Sequence, residues 1–91
     1  SRDKEALKWV KLTPNPSSQN VCIIDTNDRS ALRAGDFALD MGSDIRISHL
    51  EQISPKTDKV HVSSVKDAPY ITNNEDLMIL GRVVFNGSIY S

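Results

Sequence analysis

Apolar residues along this chain come in short runs separated by polar turns, and no stretch sustains a helical period. Val21-Cys22-Ile23-Ile24, mostly β-branched, predicts a strand buried on both faces. Phe37-Ala38-Leu39-Asp40-Met41 predicts a second strand, entered through Gly35, which is expected to supply a backbone angle that other residues resist. Gly42-Ser43 has the glycine-first form of a two-residue hairpin. Residues 44–49 then alternate, with Ile45, Ile47 and His49 on one face, as a third strand antiparallel to the second. Leu50 and Ile53 are expected to continue that set after a bulge. Val60 and Val62 alternate with Lys59, His61 and Ser63 in a fourth strand. Residues 77–85 are the most apolar stretch and predict a strand in which Gly81 marks a bulge or a close backbone approach. Asn86-Gly87 signals a turn, and residues 75–77 a single helical turn capped by Asn73 or Asn74.

Residues 13–20, with two prolines among small polar residues, and 66–74 read as loops. Residues 1–7 read as a charged tail or a short helix. Leu7, Trp9, Val10 and Leu12 form the first apolar cluster, and Trp9 and Leu12 are expected to pack. Short strands at 8–12-residue spacing predict an all-β, mostly antiparallel fold, a small barrel or sandwich. Residues 1–19 are expected to be an amino-terminal segment and loop, and 20–91 the domain. Because the chain opens on Ser1, it is read as a piece of a longer protein.

At 91 residues only one small domain is possible, with little stability to spare. A net charge of −1, with 11 basic and 12 acidic residues intermixed, argues against a domain held to nucleic acid by charge. The absence of any apolar run near 20 residues predicts no helical membrane span. The one cysteine, Cys22, rules out an internal disulfide, and its apolar neighbours predict a buried, inert thiol. His49 and His61 lack a third ligand at any telling spacing, so no metal or cofactor is expected. The aspartates at 25, 28, 36, 40 and 44 fit turns and strand ends better than a converging acid–base pair. The apolar carboxy-terminal run is different. Adjacent strand residues face opposite ways. Val84 would therefore point away from Val83 and Phe85, and one apolar face would be left for a partner.

Four segments in order carry a resemblance. They are Ile23-Ile24-Asp25-Thr26, residues 32–39 with Ala34-Gly35-Asp36, Ile45-Arg46-Ile47-Ser48-His49-Leu50, and Asp76-Leu77-Met78-Ile79-Leu80-Gly81-Arg82-Val83-Val84. Together, over residues 20–86, they resemble the carboxy-terminal domain of LexA and lambda-type phage repressors, whose closing strand is an Ile-Ile-Gly-Arg-Val-Val-like run. Active members cleave themselves with a serine activated by a lysine. By spacing, the serine slot falls near Lys11-Leu12 and the lysine slot on Ser48, so the dyad positions are degenerate. Ser17 and Ser18 would be nucleophile candidates only after a shift in alignment, and would still lack the base. Arg46 cannot act as a base near neutral pH. Ala34-Gly35 resembles the family's cleavage dipeptide but is read as structural.

The resemblance implies a non-enzymatic oligomerisation domain of a phage or prophage repressor in the cytoplasm of a bacterial host. Its partners would be a second copy, or a higher oligomer, and operator DNA through a helix-turn-helix domain outside this chain. An antirepressor protein is a further expected partner. The last strand would lie near the dimer twofold, with Val84, Phe85, Ile89 and Tyr90 at the interface. A Ser/Lys autopeptidase and a small-barrel peptide or nucleic-acid binding module are the alternatives.

Overall fold

Phe37, Ala38 and Leu39 are consecutive and all three are buried, so the strand that carries them must be covered on both faces. The computed structural model describes residues 4–13, 18–65 and 67–90, with side chains described for 5–12, 21–65 and 67–87. The readings made for 1–3, for the loop at 14–17 and for residue 91 lie outside the described residues. Seven strands are described: β1 (Leu7–Thr13), β2 (Ser18–Asp25), β3 (Gly35–Asp40), β4 (Ile45–Gln52), β5 (Lys59–Ser63), β6 (Tyr70–Asn73) and β7 (Ile79–Tyr90). They form one antiparallel sheet in the order β1-β2-β7-β3-β4-β5-β6. The fold is therefore all-β. The sheet does not close into a barrel, and β1 and β6 are its two edges. The only helical pieces among the described residues are two short 3-10 turns, Lys4–Ala6 and Asn74–Asp76.

The two faces carry two cores. Phe37 and Leu39 point into the larger one, with Ala31, Leu50, Val60 and Val62, and with Leu77 and Ile79 packed against them. Ala38 points into the other, with Cys22 and Ile24. Val10 and Leu12 of β1 and Ile45 and Ile47 of β4 pack against that second cluster. In the flat order three strands separate β1 from β4. The sheet must therefore coil until its first strands lie across β4.

Two bulges on β7 explain the coiling. Against β3, Ala38 pairs with Gly81 and Leu39 with Ile79, so Leu80 is an extra residue. Against β2, Ile24 pairs with Val83 and Ile23 with Phe85, so Val84 is extra. Each bulge bends its strand and raises the local twist. Gly81 also meets the predicted close approach: a Cβ there would lie 2.5 Å from the Asp25 carbonyl oxygen.

Several expectations change. β1 pairs with β2 from Leu7 to Thr13, with a break in register between Lys11 and Thr13, in place of an amino-terminal segment and loop. β6 lies within the predicted loop 66–74 and pairs with β5. No turn forms at Asn86-Gly87, because β2 begins early enough to pair with β7 as far as Tyr90. β4 keeps its register against both neighbours through Leu50 with no bulge, so Leu50 enters the core opposite to that of Ile47, and Ile53 is exposed. Gly35 has no positive φ; it is needed for space, as shown below. Gly42 does adopt φ +88°, and the Met41 N–H donates to the Asp44 carbonyl across the glycine-first hairpin.

Candidate functional site

Lys11 and Ser48, the positions that the resemblance would set at a dyad, do not converge. Lys11 pairs with Val21 on β1 and is exposed, on the face opposite to Val10 and Leu12. Ser48 pairs with Phe37 on β4, on the face opposite to Ile47, and is 7% exposed. Val10, Leu12 and Ile47 all face the same small core. Alternation then turns Lys11 toward solvent on one side of it and Ser48 toward the side of the larger core on the other. Ser17 lies outside the described residues, as does the side chain of Ser18.

Ser48 lines a cleft of about 110 Å³ together with Met41, Arg46, Val62, Asp67 and Tyr70. The described cation there, Arg46, is paired with two carboxylates. Arg46 donates to Asp44 (3.2 Å) and Asp67 (3.0 Å). The hydrogen bond to Asp44, and then the charges of Asp44 and Asp67, push its pKa still higher, so it is no base.

The other polar candidates mostly hold turns and strand pairs. Asp25 accepts the Asn27 N–H and Asp40 the Gly42 N–H, each bridging two residues as an Asx turn does. His49 and Asp36 face each other across β4 and β3, with Nδ1 to Oδ1 at 3.0 Å. His61 lies opposite Glu51. No group of three His, Cys, Asp or Glu residues among the described residues could hold a metal ion. Cys22 is fully buried, and burial pushes its thiol pKa up.

Arg82 is the main polar anchor. Its Nε donates to Asp28 (2.7 Å) and its Nη atoms to the carbonyls of Arg33 (2.6 Å), Ala34 (3.1 Å) and Ser30 (3.4 Å). The guanidinium stacks 4.5 Å from the centre of the Phe37 ring. A Cβ on Gly35 would overlap that guanidinium. The Ala34 carbonyl and the space left by Gly35 thus let Arg82 hold the segment 26–34 against β7. Burial raises the Asp28 pKa, but the hydrogen bond and charge of Arg82, aided by Arg33, outweigh it and hold the carboxyl below its ordinary value.

The bulge at Val84 reverses the expected facing of the carboxy-terminal run. With Val84 extra, Val83 pairs with Ile24 over the small core, whereas Phe85 pairs with Ile23 on the outer face. Phe85 is 52% exposed and Val84 is half-buried. Ile89 and Tyr90 pair with Gln19 and Ser18, and their side chains lie outside the described residues. On the next strand out, Ile23 pairs with Trp9. Trp9 does not pack into the core; it is 64% exposed. Trp9, Ile23 and Phe85 therefore form one apolar row across β1, β2 and β7. Reading Lys8-Trp9-Val10-Lys11-Leu12 as an alternating strand would have set Val10 and Leu12 inward and Trp9 outward.

No helix among the described residues is long and apolar enough to cross a membrane. Comparison with family models, curated proteins and solved structures finds no match to this chain.

Proposed function

We propose that this chain is the carboxy-terminal oligomerisation domain of a phage or prophage transcriptional repressor, of a kind that does not cleave itself. The observation that carries the association part is the row Trp9–Ile23–Phe85 on the outer face of β1, β2 and β7, with both aromatic ends exposed and Ile23 half-buried between them. Exposed aromatic clusters on small domains favour partner burial, and aromatic anchors dominate the energetics of interfaces. The repressor part rests on the order of the segments quoted above and on the degenerate dyad at Lys11 and Ser48. Operator DNA would be read by an amino-terminal helix-turn-helix domain in the bacterial cytoplasm, and an antirepressor would be a second partner.

The magnitude favours a weak contact. Aromatic side chains bury about 150–250 Å² each, so two half-exposed rings per copy offer at most roughly 400 Å² in a symmetric pair. At ~25 cal/mol per Å² that is about 10 kcal/mol before costs. Lost translational and rotational freedom offsets roughly 4–15 kcal/mol of it. Such a contact gains its effect when DNA-bound domains raise the local concentration.

Sedimentation equilibrium over a wide concentration range, on the wild type and on Trp9→Glu, tests this reading. The expected result is a concentration-dependent dimer or larger species that the substitution weakens. A wild-type monomer at every accessible concentration, or equal association by the variant, would overturn it.

A further inference from the structure

The edge strand of the sheet fixes how a second copy would join, given the self-association reading above. The Thr26 N–H donates to the Ala6 carbonyl at 2.8 Å. The β1–β2 register places these two residues opposite each other, one step beyond Leu7 and Asp25. In an antiparallel pair, hydrogen-bonded and non-hydrogen-bonded pairs alternate. Lys8 and Val10 therefore spend their backbone groups on Ile24 and Cys22. Leu7, Trp9 and Lys11 turn theirs away from β2, toward the edge on which the sheet has no further strand among the described residues. The same three residues carry their side chains on the outer face, with the Trp9–Ile23–Phe85 row.

We infer that two copies join edge to edge through β1, antiparallel, with the twofold axis at Trp9, so that the two seven-stranded sheets become one continuous sheet. Three registers around the centre of β1 can be compared. Centring on Lys8 sets Lys8 against its own copy, a like-charge pair. Centring on Val10 sets Trp9 against Lys11 and breaks the apolar row. Centring on Trp9 sets Leu7 against Lys11, Lys8 against Val10 and Trp9 against Trp9. No lysine then faces a lysine. The outer row runs unbroken as Phe85–Ile23–Trp9–Trp9–Ile23–Phe85 across both copies. All three edge-facing residues meet edge-facing residues, as a hydrogen-bonded ladder requires. The committed partner is a second copy of this chain, because the edge and its apolar row are complementary to themselves.

Trp9 is the only tryptophan and Cys22 the only cysteine, so both make clean probes. Cys22 is fully buried, leaving an introduced cysteine as the reactive thiol. The full 91-residue chain is used throughout. Trp9 emission should move to shorter wavelength as concentration rises through the association range. A mixture of Leu7→Cys and Lys11→Cys should form a mixed disulfide dimer on mild oxidation, several-fold more than either variant alone. Trp9→Cys should cross-link to itself, because a hydrogen-bonded pair brings Cα atoms to about 5.5 Å, within disulfide range. Trp9→Pro, which removes an edge-facing N–H and no β2 ladder bond, should keep its circular dichroism and lose the dimer. Association by sedimentation with no emission shift and no preferred cross-link would overturn the β1 contact and leave self-association standing. Cross-linking of Val10→Cys in place of Trp9→Cys would overturn the register. No association of the wild type at all would overturn both readings.

Discussion

Gly35→Ala tests whether a single guanidinium holds the segment 26–34 to the sheet. Gly35 has no positive φ, so an alanine fits the backbone and, with nothing in the way, would stabilise by about 0.4–1 kcal/mol through the unfolded state. Something is in the way. The new Cβ would overlap the Arg82 guanidinium, whose side chain is only 12% exposed. An arginine tip normally swings aside at little cost. This one is tied to Asp28 and to the carbonyls of Ser30, Arg33 and Ala34, and it covers the Phe37 ring. Displacing it breaks one or two charge-assisted bonds, each worth about 1.5–3 kcal/mol, some of which water replaces at this partly open site. A net loss of about 2 kcal/mol is expected for Gly35→Ala, out of a total of roughly 5–14 kcal/mol for a domain this size.

The sign should reverse when the arginine is gone. Arg82→Met leaves Asp28 with Arg33 as its remaining cation and takes the Arg82 donor from three carbonyls, and should cost about 3 kcal/mol by the same reckoning. In that background Gly35→Ala meets no guanidinium and should become neutral or stabilising by about 0.4–1 kcal/mol. Urea unfolding followed by far-UV circular dichroism measures all four proteins. The coupling between the two sites should be at least about 2 kcal/mol. Equal costs of Gly35→Ala in both backgrounds would refute the packing argument for this glycine.

Two other glycines separate space from backbone angle. Gly81→Ala places a Cβ 2.5 Å from the Asp25 carbonyl oxygen and 3.2 Å from the Thr26 Cα, both backbone atoms. It should cost more than about 2 kcal/mol or prevent folding, read as a lost or shifted unfolding transition. Gly42→Ala has open space but φ +88°, so only about 1–2 kcal/mol should be lost in the same assay. Asp28 titrates below its ordinary value near 3.8 in the folded protein. Its contribution is therefore complete above that value and disappears as pH falls through the lowered one. Asp28→Asn should be less stable than the wild type at neutral pH, and the gap should shrink in acid, measured as thermal midpoints between about pH 2 and pH 6.

The core strands were legible because their neighbours are local in sequence and their burial is strong. Val21 to Ile24, Phe37 to Leu39 and Val60 with Val62 needed only apolar runs and alternation, and the Gly42-Ser43 hairpin only its turn chemistry. β1 and β6 were missed because an edge strand has one paired side and one exposed face. Trp9 and Tyr70 therefore stand among lysines and loop residues with no burial signal of their own. The outer row was missed for a different reason. Period-two reasoning assumes an unbroken ladder, and β7 breaks it at Leu80 and again at Val84. Two residues opposite one leave the apolar pattern unchanged in sequence while reversing which face the following residues take. Phe85 consequently points outward beside Ile23, although by simple alternation it should share a face with Val83. The same extra residues coil the sheet until β1 lies over β4, which separates Lys11 from Ser48 and sets Trp9 on an open edge. A bulge thus does two things that a pattern of single residues cannot encode: it chooses the exposed face of the closing strand, and it brings the sheet edge that carries Trp9 into line with Phe85.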